Sequence, residues 1–118
     1  MPSTLSITPA GVTVALSVAN SSVSATVASL VPVRSYYVAN TGNSPVQLRL
    51  DPSASTTAVF STPGSPTLGP ILGAQDDVVI NIPTTLATGT NQFSSLMNVS
   101  AISNTTTANL VYITPIQA

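Results

Sequence analysis

Residues 34–50 read Arg34-Ser35-Tyr36-Tyr37-Val38-Ala39-Asn40-Thr41-Gly42-Asn43-Ser44-Pro45-Val46-Gln47-Leu48-Arg49-Leu50, and their pattern decides the fold class. Val46, Leu48 and Leu50 alternate with Gln47, Arg49 and Asp51. A period of two puts the first set on one face of a strand and the second on the other. On the near side, Tyr36 and Val38 lie opposite Ser35 and Tyr37 in phase. Between the two runs, Asn40-Thr41-Gly42-Asn43 reads as a hairpin turn, because Asn and Gly tolerate positive φ.

Working outward, the same period recurs. Val12, Val14, Leu16 and Val18 share one parity against Thr13, Ala15 and Ser17. Val23, Ala25, Val27, Ser29 and Val31 are in phase over a second extended run. Residues 57–61 form a short strand candidate, and residues 62–73 read as a loop with Pro63, Gly64, Pro66, Gly69, Pro70 and Gly73. Val78, Ile80 and Ile82 point inward from the next strand, and 83–92 is a Thr-rich connection. Residues 96–103 and 109–114 close the domain around a turn at 103–105. Leu110, Val111, Tyr112 and Ile113 run without a polar break, which predicts a last strand packed on both sides.

Helix signals are nearly absent: ten prolines and six glycines punctuate the chain, and β-branched residues fill the gaps. About eight short strands at this spacing predict one all-β domain over residues 1–118, an antiparallel β-sandwich or jelly roll. Residues 1–30 carry no aromatic residue and no charge. They read as an extended N-terminal arm that pairs with a neighbour's sheet edge, or as the first hairpin of the same sandwich. As an arm, their removal leaves a folded remainder that assembles poorly.

Charge is the unusual feature. Lys, Glu and His are missing, and Arg34, Arg49, Asp51, Asp76 and Asp77 make up the 4% of charged residues, against about 25% in an ordinary soluble domain. Disorder does not fit, since 43% of the residues are hydrophobic. Neutral polar surface is cheaper to bury than ions, which cost several kcal/mol each to desolvate. Burial against a partner, or against copies of itself, suits such a surface.

The same scarcity excludes most chemistry. General acid–base catalysis needs His or a tuned carboxylate pair, and a Ser nucleophile needs a base; the chain is therefore not expected to be an enzyme. Asp76 and Asp77 are neighbours whose side chains point apart in a strand and converge only in a turn. They read as an edge device that discourages sheet-to-sheet pairing, with weak calcium binding as the other reading. Without Cys there is no disulfide framework and no thiolate metal site, and no Gly-rich phosphate loop precedes a helix, so no cofactor is expected. Two arginines make no phosphate track, so nucleic acid is not an expected partner. The uncharged tract from Val78 onward is broken by Pro83, Gly89 and Pro115, so no membrane span is expected, and no basic residue precedes Arg34 to begin a signal peptide. Three Asn-x-Ser/Thr sequons, at Asn20, Asn98 and Asn104, match what chance gives in so Asn-, Ser- and Thr-rich a chain.

Residues 33–50 resemble a pattern of small virion proteins of tailed bacteriophages, the head decoration or cement proteins. There an R-x-x-x-V-x-N-x-G-x-x-P-V hairpin, here Arg34 to Val46, leads into a Ser/Thr-rich strand and a Pro/Gly loop. A V-x-I-x-I/V-P strand follows, here Val78-Val79-Ile80-Asn81-Ile82-Pro83, and a hydrophobic strand closes the domain, here Leu110 to Ile113. The resemblance spans residues 33–113, and Ala74-Gln75-Asp76-Asp77 stands where the pattern has an acidic residue directly after the glycine. It implies a structural protein of the virion, made in the host cytoplasm and placed on the capsid surface. Its partners would be the major capsid protein and itself, as a homotrimer. The interface residues expected on this reading are Val12, Val14 and Leu16 in the uncharged N-terminal run, with Arg34, Tyr36 and Tyr37 at the hairpin. Arg34 or Arg49 would pair with Asp51, Asp76 or Asp77, in one version across a subunit contact. A secreted or cell-surface adhesion or carbohydrate-binding sandwich is the alternative, and Tyr36-Tyr37 is the one aromatic pair that approaches its needs, with one ring on each side of a strand.

Overall fold

A computed structural model describes residues 8–51, 57–67, 69–81 and 94–117. Within them lie nine strands: β1 (Thr8–Pro9), β2 (Val14–Val18), β3 (Val23–Val33), β4 (Ser35–Asn40), β5 (Val46–Asp51), β6 (Ile71–Leu72), β7 (Asp77–Asn81), β8 (Ser94–Ser103) and β9 (Asn109–Gln117). They form two antiparallel sheets packed face to face. The larger has the order β1-β9-β4-β7, with β2 beside β9 on the same side as β1, and the smaller has the order β3-β8-β5-β6.

The pairing follows one rule: β2 pairs with β9, β3 with β8, β4 with β7 and β5 with β6. The chain thus behaves as one long hairpin whose two arms are rolled up together, and β4–β9 and β5–β8 pairs complete the sheets. This is the jelly roll, and it leaves sheet edges only at the two sides of the sandwich.

Rolling has a consequence for the connections. Each of β2–β3, β3–β4, β4–β5, β6–β7, β7–β8 and β8–β9 joins strands of opposite sheets. Residues 8–30 are therefore neither an arm nor a hairpin: β2 lies in one sheet and β3 in the other, and Val18 and Val27 are fully buried between them. The Asn40–Asn43 turn likewise carries the chain across the sandwich instead of closing a hairpin. Its local chemistry fixes a tight reversal but not which strand lies alongside.

Two buried amides secure that crossing. Asn40 accepts from the Gly42 N–H (3.0 Å), an Asx turn, and its Nδ2 donates to the carbonyls of Ser44 (2.8 Å) and Gly73 (3.1 Å). Asn109 accepts from the Ser44 N–H (3.1 Å) and donates to the Val18 and Thr107 carbonyls, both at 3.2 Å. Gly42 is required because a Cβ there would lie 2.1 Å from Asn109 Oδ1.

The core is the period-two set seen in the sequence: Leu16, Val18, Val27, Tyr36, Val38, Val46, Leu48, Val111 and Ile113, joined by Met97, Val99 and Ala101 from β8. Each fully buried large side chain contributes roughly 1.5–3 kcal/mol. Three expectations fail for identifiable reasons. β9 alternates between buried and exposed, with Leu110 and Tyr112 facing out, so the last strand packs on one side. β3 loses phase through a register shift between Ala28 and Val33, and Val31 is exposed beside Leu30. Residues 57–61 join no strand. They run over the outer face of the smaller sheet, where the Ala58 N–H donates to Ser22 Oγ and the Ser61 N–H to Gln47 Oε1. Gln47, outward by its parity, is buried beneath this cover and also donates to Gly69 O (3.0 Å).

Asn109→Ala is expected to lower the unfolding free energy by about 2–3 kcal/mol, since it leaves buried backbone groups of three connections unpaired; urea unfolding measures it. A chain lacking residues 1–30 is expected to lose its cooperative β-sheet signal in circular dichroism, because β2 and most of β3 are core strands.

Candidate functional site

Among the described residues no segment crosses the outer face of the larger sheet, and this face is the candidate site. Register places its side chains, because directly opposite residues in antiparallel strands share a face. Tyr112 on β9 lies between Ala15 on β2 and Ala39 on β4, and Ala39 is in turn opposite Asp77 on β7. One row along, Tyr37 lies between Thr114 and Val79. Tyr37 and Tyr112 are thus diagonal neighbours, flanked by small residues. Leu110, 47% exposed, stands opposite Ser17 and extends the apolar area toward β2.

The one carboxylate in these rows is engaged. The Tyr37 hydroxyl donates to Asp77 Oδ2 at 2.6 Å. That bond, more than burial or the nearby negative charge, raises the Tyr37 phenol above its ordinary value. Asp76 Oδ1 accepts from the Asp77 N–H (2.9 Å), so each carboxylate holds a hydrogen bond of its own. They sit at the start of β7, an edge strand of the larger sheet, as an edge device would.

Beside Tyr37 lies a depression of about 390 Å³, lined also by Ala39, Thr41, Gln75, Asp76 and Asp77. Its wall is held by Gln75, the one non-glycine residue at positive φ (59°) among the described residues. Gln75 donates from its backbone N–H to Gly42 O (3.1 Å) and from Nε2 to Thr41 O (3.2 Å) and Asn43 Oδ1 (3.0 Å). Three bonds onto the β4–β5 turn hold a backbone conformation that L-residues disfavour by about 1–2 kcal/mol.

Such a surface can stack, fill a partner's pocket and exchange hydrogen bonds. Among the described residues, no group of three His, Cys, Asp or Glu side chains gathers to hold a metal ion.

The residues expected at an interface are dispersed. Tyr36 and Leu16 are core residues with no surface to offer a partner, and Val14 is half-buried against the same core. Val12 is 77% exposed at the β1–β2 break. Arg34 is the single half-buried residue between β3 and β4. Tyr37 reaches the face as expected, but its partner Tyr112 was hidden in a run of apolar neighbours. The side chain of Asp51 lies outside the described residues, as do Ile82 and Phe93. No family model, no curated protein and no solved structure matches the chain.

Tyr36 itself has an unusual environment. Its hydroxyl is buried with no hydrogen-bond partner among the described residues, and burial pushes its pKa up to about 12. Tyr36→Phe is therefore expected to leave stability unchanged or raise it by up to about 1 kcal/mol, since an unpaired polar group is removed. The neutral phenol is favoured in the fold. The resulting stability is intact below pH 10 and is lost as pH rises toward about 12. Thermal melts across that window should show a shallower decline for Tyr36→Phe than for wild type.

Proposed function

We propose that this chain is a structural virion accessory protein, a decoration or cement module that binds the surface of a tailed-phage capsid and stabilises it. Its partners are the major capsid protein and further copies of itself, and it reaches the capsid surface after synthesis in the host cytoplasm. The observation that carries the reading is the outer face of the larger sheet. Two diagonal tyrosines and Leu110 share that face, and the one carboxylate in their rows is already hydrogen-bonded. Aromatic side chains dominate the energetics of protein contacts, and a face with so little charge loses little on desolvation. The phage-like pattern over residues 33–113 supplies the partner class. Jelly rolls also occur in viral capsid and lectin domains, which is support by analogy. Modest contacts with several capsid subunits at once would add up to a lasting grip.

A second reading, an adhesion or carbohydrate-binding module, is favoured by the Tyr37–Tyr112 pair beside the polar depression. Two rings flanked by Asp77 and Gln75 suit a sugar's apolar face and its hydroxyls.

Cosedimentation with accessory-free capsid shells of the encoding phage tests the proposal. Wild type should pellet with the shells and raise their melting temperature. Tyr112→Asp, at an exposed position, should bind at least roughly tenfold more weakly with its fold intact. A chain that ignores the shells but is retained on immobilised glycans, dependent on both Tyr37 and Tyr112, would establish the second reading instead.

A further inference from the structure

The sandwich has two sides, each carrying one edge of each sheet, and they differ. On one side β7 bears Asp76 and Asp77, and β6 is two residues long and preceded by Pro70. Charge, brevity and proline are the ordinary protections of a sheet edge. On the other side lie β2 and β3. No ionisable side chain precedes Arg34, and Pro9 and Pro32 stand at the ends of this side without interrupting Val14–Val18 or residues 23–28. Among the described residues, the outer edges of these two runs pair with no strand. Only at residues 10–11 is the side bridged, where Leu30 N–H donates to Ala10 O (2.7 Å) and Gly11 pairs with Ser29. Gly11 permits this approach, since a Cβ there would lie 2.4 Å from Ala28 O.

Among the described residues, the same corner holds the most exposed large apolar side chains. Leu30 is 89% exposed and Val12 77%. With Pro9, Gly11, Ala28 and Ser29 they line a crevice of about 450 Å³.

We infer that the β2–β3 side is a self-association surface, and that its occupant is a second copy of this chain related by a two-fold axis along the sheet normal. One such axis sets β2 antiparallel to its copy and β3 antiparallel to its own, so both sheets continue across the contact. A single strand from another protein would satisfy only one edge. Centred on Leu16, the β2 pairing puts Val14 opposite Val18 and Ala15 opposite Ser17, so core-facing residues meet core-facing residues and small residues meet small ones. An isologous contact sets a surface against itself, and a surface without charge meets its copy with no like-charge repulsion. The smallest Cα extent is 20 Å, so one contact can span both edges and make main-chain pairs along each. The inference stands apart from the capsid reading, because it concerns the purified chain alone.

Sedimentation equilibrium tests it. The wild-type chain should show twice its 11.9 kDa mass at tens of micromolar. Ser17→Lys/Ser24→Lys places charge at exposed positions of both edges, and Leu30→Glu places it in the crevice. Each should raise the dimer dissociation constant at least roughly tenfold with an unchanged circular dichroism spectrum. Thr62→Lys/Ser65→Lys, with the same added charge on the cover of the smaller sheet, should dimerise like wild type. A wild-type chain that stays monomeric at hundreds of micromolar overturns the inference. So does an edge variant that dimerises as tightly as the control, or a trimer indifferent to the edge charges.

Discussion

Asn40 and Asn109 hold together what the topology would otherwise leave loose. In a jelly roll nearly every connection passes from one sheet to the other, so chain reversals gather at the ends of the sandwich with backbone groups needing partners. A carboxylamide both donates and accepts, and these two bridge the end of β2, the β4–β5 turn, Gly73 before β7 and the β8–β9 turn. In a chain with five charged side chains, neutral amides take the place that ion pairs fill elsewhere, without the desolvation cost of buried charge. Gln47 repeats the device on the outer face of the smaller sheet, where it secures the segment between β5 and β6.

How much of this the sequence reveals depends on whether the signal is local. Val46 to Leu50 alternates cleanly and lies in β5, with Val46 and Leu48 in the core as expected. The division of Tyr36 and Tyr37 between core and surface follows from parity alone. Partnership is another matter. Asn40-Thr41-Gly42-Asn43 specifies a reversal, and only the rolled topology decides that β5 lies in the opposite sheet. Leu110 to Ile113 shows how composition can hide a face: four apolar residues in a row look buried on both sides, yet Leu110 and Tyr112 face out and only Val111 and Ile113 enter the core. Tyr112 joins Tyr37 only through the β4–β9 register, a pairing across more than seventy residues that no local pattern encodes. Gln75 is equally illegible, since its positive φ is imposed by bonds to a turn some thirty residues away.

The two outer faces have different fates. Residues 57–67 cover part of the smaller sheet, and a buried glutamine holds them there. Among the described residues nothing crosses the outer face of the larger sheet, which carries two aromatic side chains and one hydrogen-bonded carboxylate. The polar groups of such a chain are mostly hydroxyls and amides, which lose less than ions when a partner covers them. A contact made this way depends on shape and aromatic area, so it should respond weakly to salt.

The placement of the few charges also bears on why such a chain need not aggregate. A β-sandwich with two bare sides could add copies at both and grow into a filament, because contacts that do not close on themselves propagate. Here Asp76 and Asp77 stand at the edge of β7, and β6 is too short to template a neighbour. Growth through the β2–β3 side consumes that side in both partners and leaves the protected β6–β7 sides outermost. On the self-association proposed above, the two aspartates at one edge and the two-residue β6 beside them would keep edge pairing finite. In such a pair the outer faces of the two larger sheets would lie side by side, so both could engage a larger surface together.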